Sequence, residues 1–112
     1  MRTNFQMEYQ NILMVRGDTL AFNAEIFNDD GQVVLVDSAE MVCKKKPSDD
    51  DAIFRKTLNS GIQQSDGLLT VRIAPSDTRE VDAGRYFYDF RVTIDHDVYT
   101  LMIGILTIVQ DV

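Results

Sequence analysis

Apolar and polar residues alternate with a period of two through most of this chain. In TLAFNAEIF (19–27), Leu20, Phe22, Ala24 and Ile26 fall on one face and Thr19, Asn23 and Glu25 on the other, the pattern of a half-buried strand. Asn28-Asp29-Asp30-Gly31 then supplies a turn, because Gly accepts a positive φ and Asn and Asp tolerate it. SAEMVCKKK (38–46) alternates more weakly and runs into the charged loop KKPSDDD, and AIFRKTL (52–58) reads as a short strand between that loop and a turn at Asn59-Ser60-Gly61. After a further turn at Ser65-Asp66-Gly67, LLTVRIA (68–74) sets Leu69, Val71 and Ile73 on one side. RYFYDFRVTI (85–94) sets Tyr86, Tyr88, Phe90, Val92 and Ile94 against Arg85, Asp89 and Arg91. Asp95-His96-Asp97 marks a hairpin into VYTLMIGILTIV (98–109), which is apolar on both faces. The one helix-like stretch, APSDTREVDAG, suits one or two turns with Pro75 in the first. Seven to eight strands separated by turn signals roughly every 8 to 12 residues predict an all-β, antiparallel β-sandwich or barrel, of which the Asp82-to-Tyr86 segment favours the immunoglobulin-like β-sandwich. It fills residues 1–112 as a single domain, with Leu20, Phe22, Ile26, Val71, Ile73, Tyr88, Phe90 and Val92 in its core.

The segment VDAGRYFYDF (81–90) narrows the choice. Sandwiches of the immunoglobulin type carry a tyrosine near the start of their sixth strand, whose hydroxyl reaches back to upstream backbone and pins the corner. Asp82, Gly84 and Tyr86 stand in that order, with Tyr88 in the place of the second core cysteine. Gly17-Asp18-Thr19 enters the first long strand, and Pro75, Asp77 and Thr78 precede Gly84, Tyr86 and Tyr88. Tyr99, Thr100, Leu101, Gly104, Thr107 and Ile108 close the chain. Over roughly residues 10 to 110 this series resembles the N-terminal domain family of phage baseplate upper proteins. The resemblance implies an immunoglobulin-like module of a bacteriophage or prophage virion, in tail, baseplate or head accessory structure. Its partners would be other virion proteins, and it would be made in the bacterial host cytoplasm. In that family the domain continues into a linker and a module that carries receptor-binding proteins, whereas the 112 residues here end at Val112.

Composition adds exclusions. Hydrophobic residues make up 45% and charged residues 26% of the chain, the balance of a folded globule. A net charge of −7 argues against nucleic acid as a partner, since a phosphate-binding surface needs a basic stripe. Lys44-Lys45-Lys46 is followed closely by Asp49-Asp50-Asp51, and the two runs read together as a solvated loop. The single Cys43 has no partner for an internal disulfide and points to a reducing compartment. The N-terminus has no apolar signal region, and LMIGILTIV (101–109), the longest apolar run, is too short to cross a membrane.

No catalytic constellation emerges. His96 is the only histidine and falls in a hairpin turn far in sequence from Cys43. One Cys and one His are too few for a zinc site. The acidic turns lack the spaced ligands of a calcium loop, and Arg16-Gly17-Asp18 reads as a strand entry rather than an adhesion signal. We therefore expect no enzyme, cofactor or metal. The last strand is more informative. With Met102, Leu106 and Ile108 facing the core, Leu101, Ile103, Ile105 and Val109 fall on the opposite face, where Phe87 joins them from the neighbouring strand. Such a patch marks either a contact with another subunit or a landing site for FQMEYQNILMV (5–15). Contact is the favoured reading, with Phe87, Leu101, Ile103 and Ile105 as the interaction residues and a homo-oligomer, trimer or dimer, as the expected state. The alternative function is a carbohydrate- or receptor-binding β-sandwich using its loops, against which the aromatics lie mostly in strands.

Overall fold

The computed structural model describes residues 7–112, together with the backbone of residues 2 and 3. In chain order the elements are β1 (Arg2–Thr3), β2 (Glu8–Tyr9), β3 (Ile12–Val15), β4 (Leu20–Ile26), β5 (Ser38–Lys44), β6 (Phe54–Leu58), β7 (Gly61–Ser65) and β8 (Leu68–Ile73). A single helical turn, α1 (Pro75–Thr78), precedes the long strands β9 (Gly84–Ile94) and β10 (Asp97–Val109). The chain is all-β. Its strands form one continuous sheet in the order β1-β4-β8-β7-β6-β5-β9-β10-β2, with β3 also on β10.

The sheet curls until its two halves face each other. Phe22 on β4 and Phe90 on β9 are separated by four strands in that order, yet their rings meet edge to face with centroids 6.0 Å apart. Ile26, Val71, Ile73, Tyr88, Phe90 and Val92 are buried between the halves, whereas Leu20 and Phe22 are only half-buried at the rim of the core.

The sheet is mixed rather than wholly antiparallel, and the described residues form ten strands, several of them very short, where seven or eight were expected. The long alternating segments pair antiparallel, as β4 with β8, β8 with β7, β5 with β6 and β9, and β9 with β10. The parallel pairs, β1 on β4, β6 on β7, and β2 and β3 on β10, involve two to four paired residues each. Segments that short carry no legible period of two. GIQQS (61–65) is one example: Ile62 is its single buried apolar side chain. Beside it the Gln64 amide behaves as a peptide group, accepting from Val36 N at 2.9 Å and donating to Val36 O at 3.1 Å. It thereby ties the loop ahead of β5 onto β7.

Leu101 departs from the expected outer face. Arg91 and Phe90 are consecutive on β9, but they pair with Thr100 and Met102, leaving Leu101 as an extra residue in a bulge. An extra residue shifts the side-chain phase by one. Tyr99 and Leu101 therefore point inward before the bulge, and Met102, Leu106 and Ile108 after it. Leu101 is fully buried.

Two hairpins use two-residue loops with positive φ at both positions, Asp66-Gly67 (51° and 83°) and Asp95-His96 (51° and 71°). That backbone twist matches the twist of the flanking strands. His96 is exposed at the tip of the β9–β10 hairpin. The expected helical stretch contracts to α1, where Asp77 Oδ2 accepts from Ala74 N at 2.7 Å and meets Lys56 Nζ at 2.5 Å. Buried Thr78 accepts from Gly17 N at 2.8 Å, joining the turn to the β3–β4 loop.

Phe90 has no exposed surface and bridges both halves of the curl, so Phe90→Ala should cost about 3–5 kcal/mol in urea unfolding. A loss under about 1 kcal/mol would mean that the halves do not depend on this contact.

Candidate interaction face

The corner at residues 82–86 fixes where β9 begins. Tyr86 OH donates to Asp82 O at 2.5 Å, and Lys45 Nζ stands 4.7 Å from the centroid of the Tyr86 ring. Gly84 takes φ +154°, a conformation that an L side chain rarely adopts. Thus one lysine of the expected solvated loop packs on the corner, while Lys44 belongs to β5 and is half-buried beside Phe87.

On the other side of β10, an interlocking set of contacts holds the N-terminal segment. Gln10 N donates to Ile103 O at 3.0 Å, Ile105 N to Asn11 Oδ1 at 3.0 Å, and Arg16 N to Val109 O at 2.9 Å. The Tyr88 hydroxyl, reaching from β9 across Gly104, donates to Gln10 O. A Cβ on Gly104 would lie 2.1 Å from that carbonyl oxygen, so the glycine is what lets the strap approach.

The described part of the segment, residues 7–15, does not fold over the outer face. Residues 5 and 6 lie outside the described residues, and residues 8–15 extend the sheet by running along the edge of β10. Ile103 sits between Asp89 and Tyr9, Ile105 beside Phe87, and Thr107 between Arg85 and Leu13. Val109 pairs with Val15. The apolar patch therefore grows where a folded-back segment would have shrunk it. Tyr9 is 73%, Leu13 69% and Phe87 42% exposed, with Ile103 and Ile105 half-buried among them. Of the four residues expected to interact, Phe87, Ile103 and Ile105 share this face and Leu101 does not. Tyr9 and Leu13 were missed, because only the parallel register with β10 brings them there.

The same face carries an unusual charge. A shallow hollow of about 330 Å³ is lined by Tyr9, Phe87, Ile103, Lys44, Arg55 and Arg91. Arg55 pairs with Glu40 at 2.8 Å and Arg91 with Asp89 at 3.0 Å. With Arg85, the face holds four of the chain's eleven Lys and Arg but, in Glu40 and Asp89, two of its eighteen Asp and Glu. It carries +2, and the remainder of the −7 chain carries −9.

Elsewhere the reactive groups are dispersed. Cys43 is fully buried and its thiol is pushed up to about 12 by burial. Among the described residues no three His, Cys, Asp or Glu side chains gather as a metal would need. No helix among them is long and apolar enough to cross a membrane.

No protein-family model matches the chain, and no curated protein does. Among solved structures it is similar to a family 123 glycoside hydrolase from Clostridium perfringens, with a TM-score of 0.44 and 14% identity. The match covers 93% of this chain and 23% of that one, so the chain spans under a quarter of the enzyme's length. A superposition that loose relates neither site nor chemistry.

Tyr88→Phe removes one hydrogen bond worth about 0.5–1.5 kcal/mol, and should speed amide exchange at Gln10 and Arg16 without unfolding the core. Unchanged exchange would show that the strap does not depend on Tyr88. Burial also pushes the Tyr88 hydroxyl up to about 12. Both Cys43 and Tyr88 are neutral when protonated, so their contribution is complete below the ordinary values of 9.0 and 10.0 and is lost as pH rises toward 12. The urea midpoint followed by circular dichroism should therefore fall from about pH 9, and in Cys43→Ala only from about pH 10. A flat profile to pH 12 would contradict the burial of both groups.

Proposed function

We propose that the chain is a non-enzymatic structural module of a bacteriophage or prophage particle, in tail, baseplate or head accessory structure, working by rigid protein–protein contact. The observation that carries the contact is the uncovered apolar face built from Tyr9, Leu13, Phe87, Ile103 and Ile105. Three aligned exposed apolar side chains around two half-buried isoleucines are more than the scattered exposure of an ordinary surface. The seating of these side chains on paired strands favours a preformed, rigid surface.

An immunoglobulin-like sandwich is the finer reading of the fold. The Tyr86–Asp82 corner and the opposition of the β4–β8 half to the β5–β9–β10 half support it. Assignment to a virion rests on the likeness of residues 10 to 110 to the baseplate domain family. A non-catalytic role is supported by the lone His96 on an exposed hairpin and by a thiol that burial keeps protonated.

Two measurements test this reading. The chain should be present, at fixed stoichiometry, in particles purified through a density gradient, and its absence from them overturns the assignment. Ile103→Asp, which puts a charge on the face without touching the core, should leave the circular dichroism spectrum unchanged and reduce incorporation at least about tenfold. Wild-type incorporation of a folded Ile103→Asp protein would remove the face from the contact.

A further inference from the structure

The hollow on the outer face has a counterpart elsewhere on the same chain. The β9–β10 hairpin ends in Asp95-His96-Asp97, followed by Val98, which is 62% exposed. Asp95 N donates to Asp37 Oδ2 at 2.8 Å, which brings a third acidic residue to the tip and braces its loop. This is a narrow, rigid, acidic projection with one apolar side chain behind it. The hollow offers the complementary set, the apolar surface of Tyr9, Phe87 and Ile103 with Lys44, Arg55 and Arg91, which outnumber the two carboxylates lining it, Glu40 and Asp89, by one.

These two surfaces do not meet within one molecule. Along extended β9, Asp95 lies eight residues, about 26 Å, from Phe87 and four residues, about 13 Å, from Arg91, the nearest of the lining residues named. Each copy therefore presents one tip and one hollow. We propose that the occupant of the face is a second copy of this chain, docked head to tail with its Asp95-His96-Asp97 tip in the hollow.

The charge distribution favours this arrangement over a two-fold one. Two faces of +2 brought together repel, whereas a +2 face against a region of the −9 remainder is attracted. The face spans four strands, β5, β9, β10 and the β2–β3 segment, about 20 Å across and about 20 Å along, or roughly 400 Å² in outline. That is about half of the roughly 800 Å² that one side of a standard contact buries, so the contact belongs to the small, reversible class. A head-to-tail contact repeats, so it closes into a ring or runs on as a chain, and does not stop at a dimer. The proposal names the partner for the interaction face and so rests on that part of the functional reading.

The test mixes two variants of the full chain in sedimentation velocity. Phe87→Asp spoils the hollow and leaves the tip intact. Asp95→Asn with Asp97→Lys cancels the charge of the tip, from −3 to 0 with Asp37 counted, and leaves the hollow intact, the asparagine being chosen because it tolerates the positive φ at 95. Wild type should form species larger than a dimer, weakened at least about tenfold between 0.05 and 0.5 M salt as the charges are screened. Each variant alone should be a folded monomer by circular dichroism. Their mixture should give a 1:1 heterodimer and nothing larger, because one working tip meets one working hollow. A tip variant that still self-associates would overturn the proposal in favour of a face-to-face contact. A wild type that stays monomeric at about 1 mM also overturns it, whereas the particle-incorporation result for Ile103→Asp decides the functional reading separately.

Discussion

The Gln10 carbonyl reaches the Tyr88 hydroxyl only because Gly104, which lies between them, has no side chain. Much of the outer face follows from that approach. With the carbonyl seated, the segment on either side of it continues the register of β10, and Tyr9 and Leu13 take their places beside Ile103 and Thr107. A methyl group at 104 would push the strap off the edge and leave those side chains without an address. One core tyrosine thus serves two layers, since its ring fills the interior while its hydroxyl secures the periphery.

Strands with long alternation were legible in the sequence. Phe90 and Val92 on β9, and Val71 and Ile73 on β8, sit inside because each belongs to a run in which the period of two is unbroken. Leu101 defeated the same logic. A bulge has no residue signature in VYTLMIGILTIV, where both phases are apolar and either assignment satisfies the pattern. The strands at 8–9, 12–15 and 61–65 escaped for a different reason. They hold their places through backbone and amide hydrogen bonds, which leave almost no trace in an apolar–polar string.

The interaction face was legible only in its middle. Phe87, Ile103 and Ile105 follow from alternation on two adjacent strands, but Tyr9 and Leu13 require knowing which edge the N-terminal segment joins. The charge of the face was hidden in the same way. Arg85 and Arg91 read as the wet side of a strand, and Lys44 as part of a loop. Only the pairing of β5 with β9 places Lys44 beside Phe87 and Glu40 beside Arg91. Composition reports a chain of −7, and it takes topology to show that the deficit is unevenly distributed.

Gln64 stands in for backbone. Its amide occupies both hydrogen-bonding positions of Val36 and so carries the bonding of the sheet into a loop that forms no strand there. One side chain therefore does the task of a peptide unit. The loop it holds is also fastened by the Phe27–Val33 bridge and by hydrogen bonds from Val34 N to Ile26 O and from Asp37 N to Thr93 O. Changes in its length over evolutionary time are therefore confined to the turn at residues 28–32, provided that a residue with a free N–H and C=O still arrives opposite Gln64.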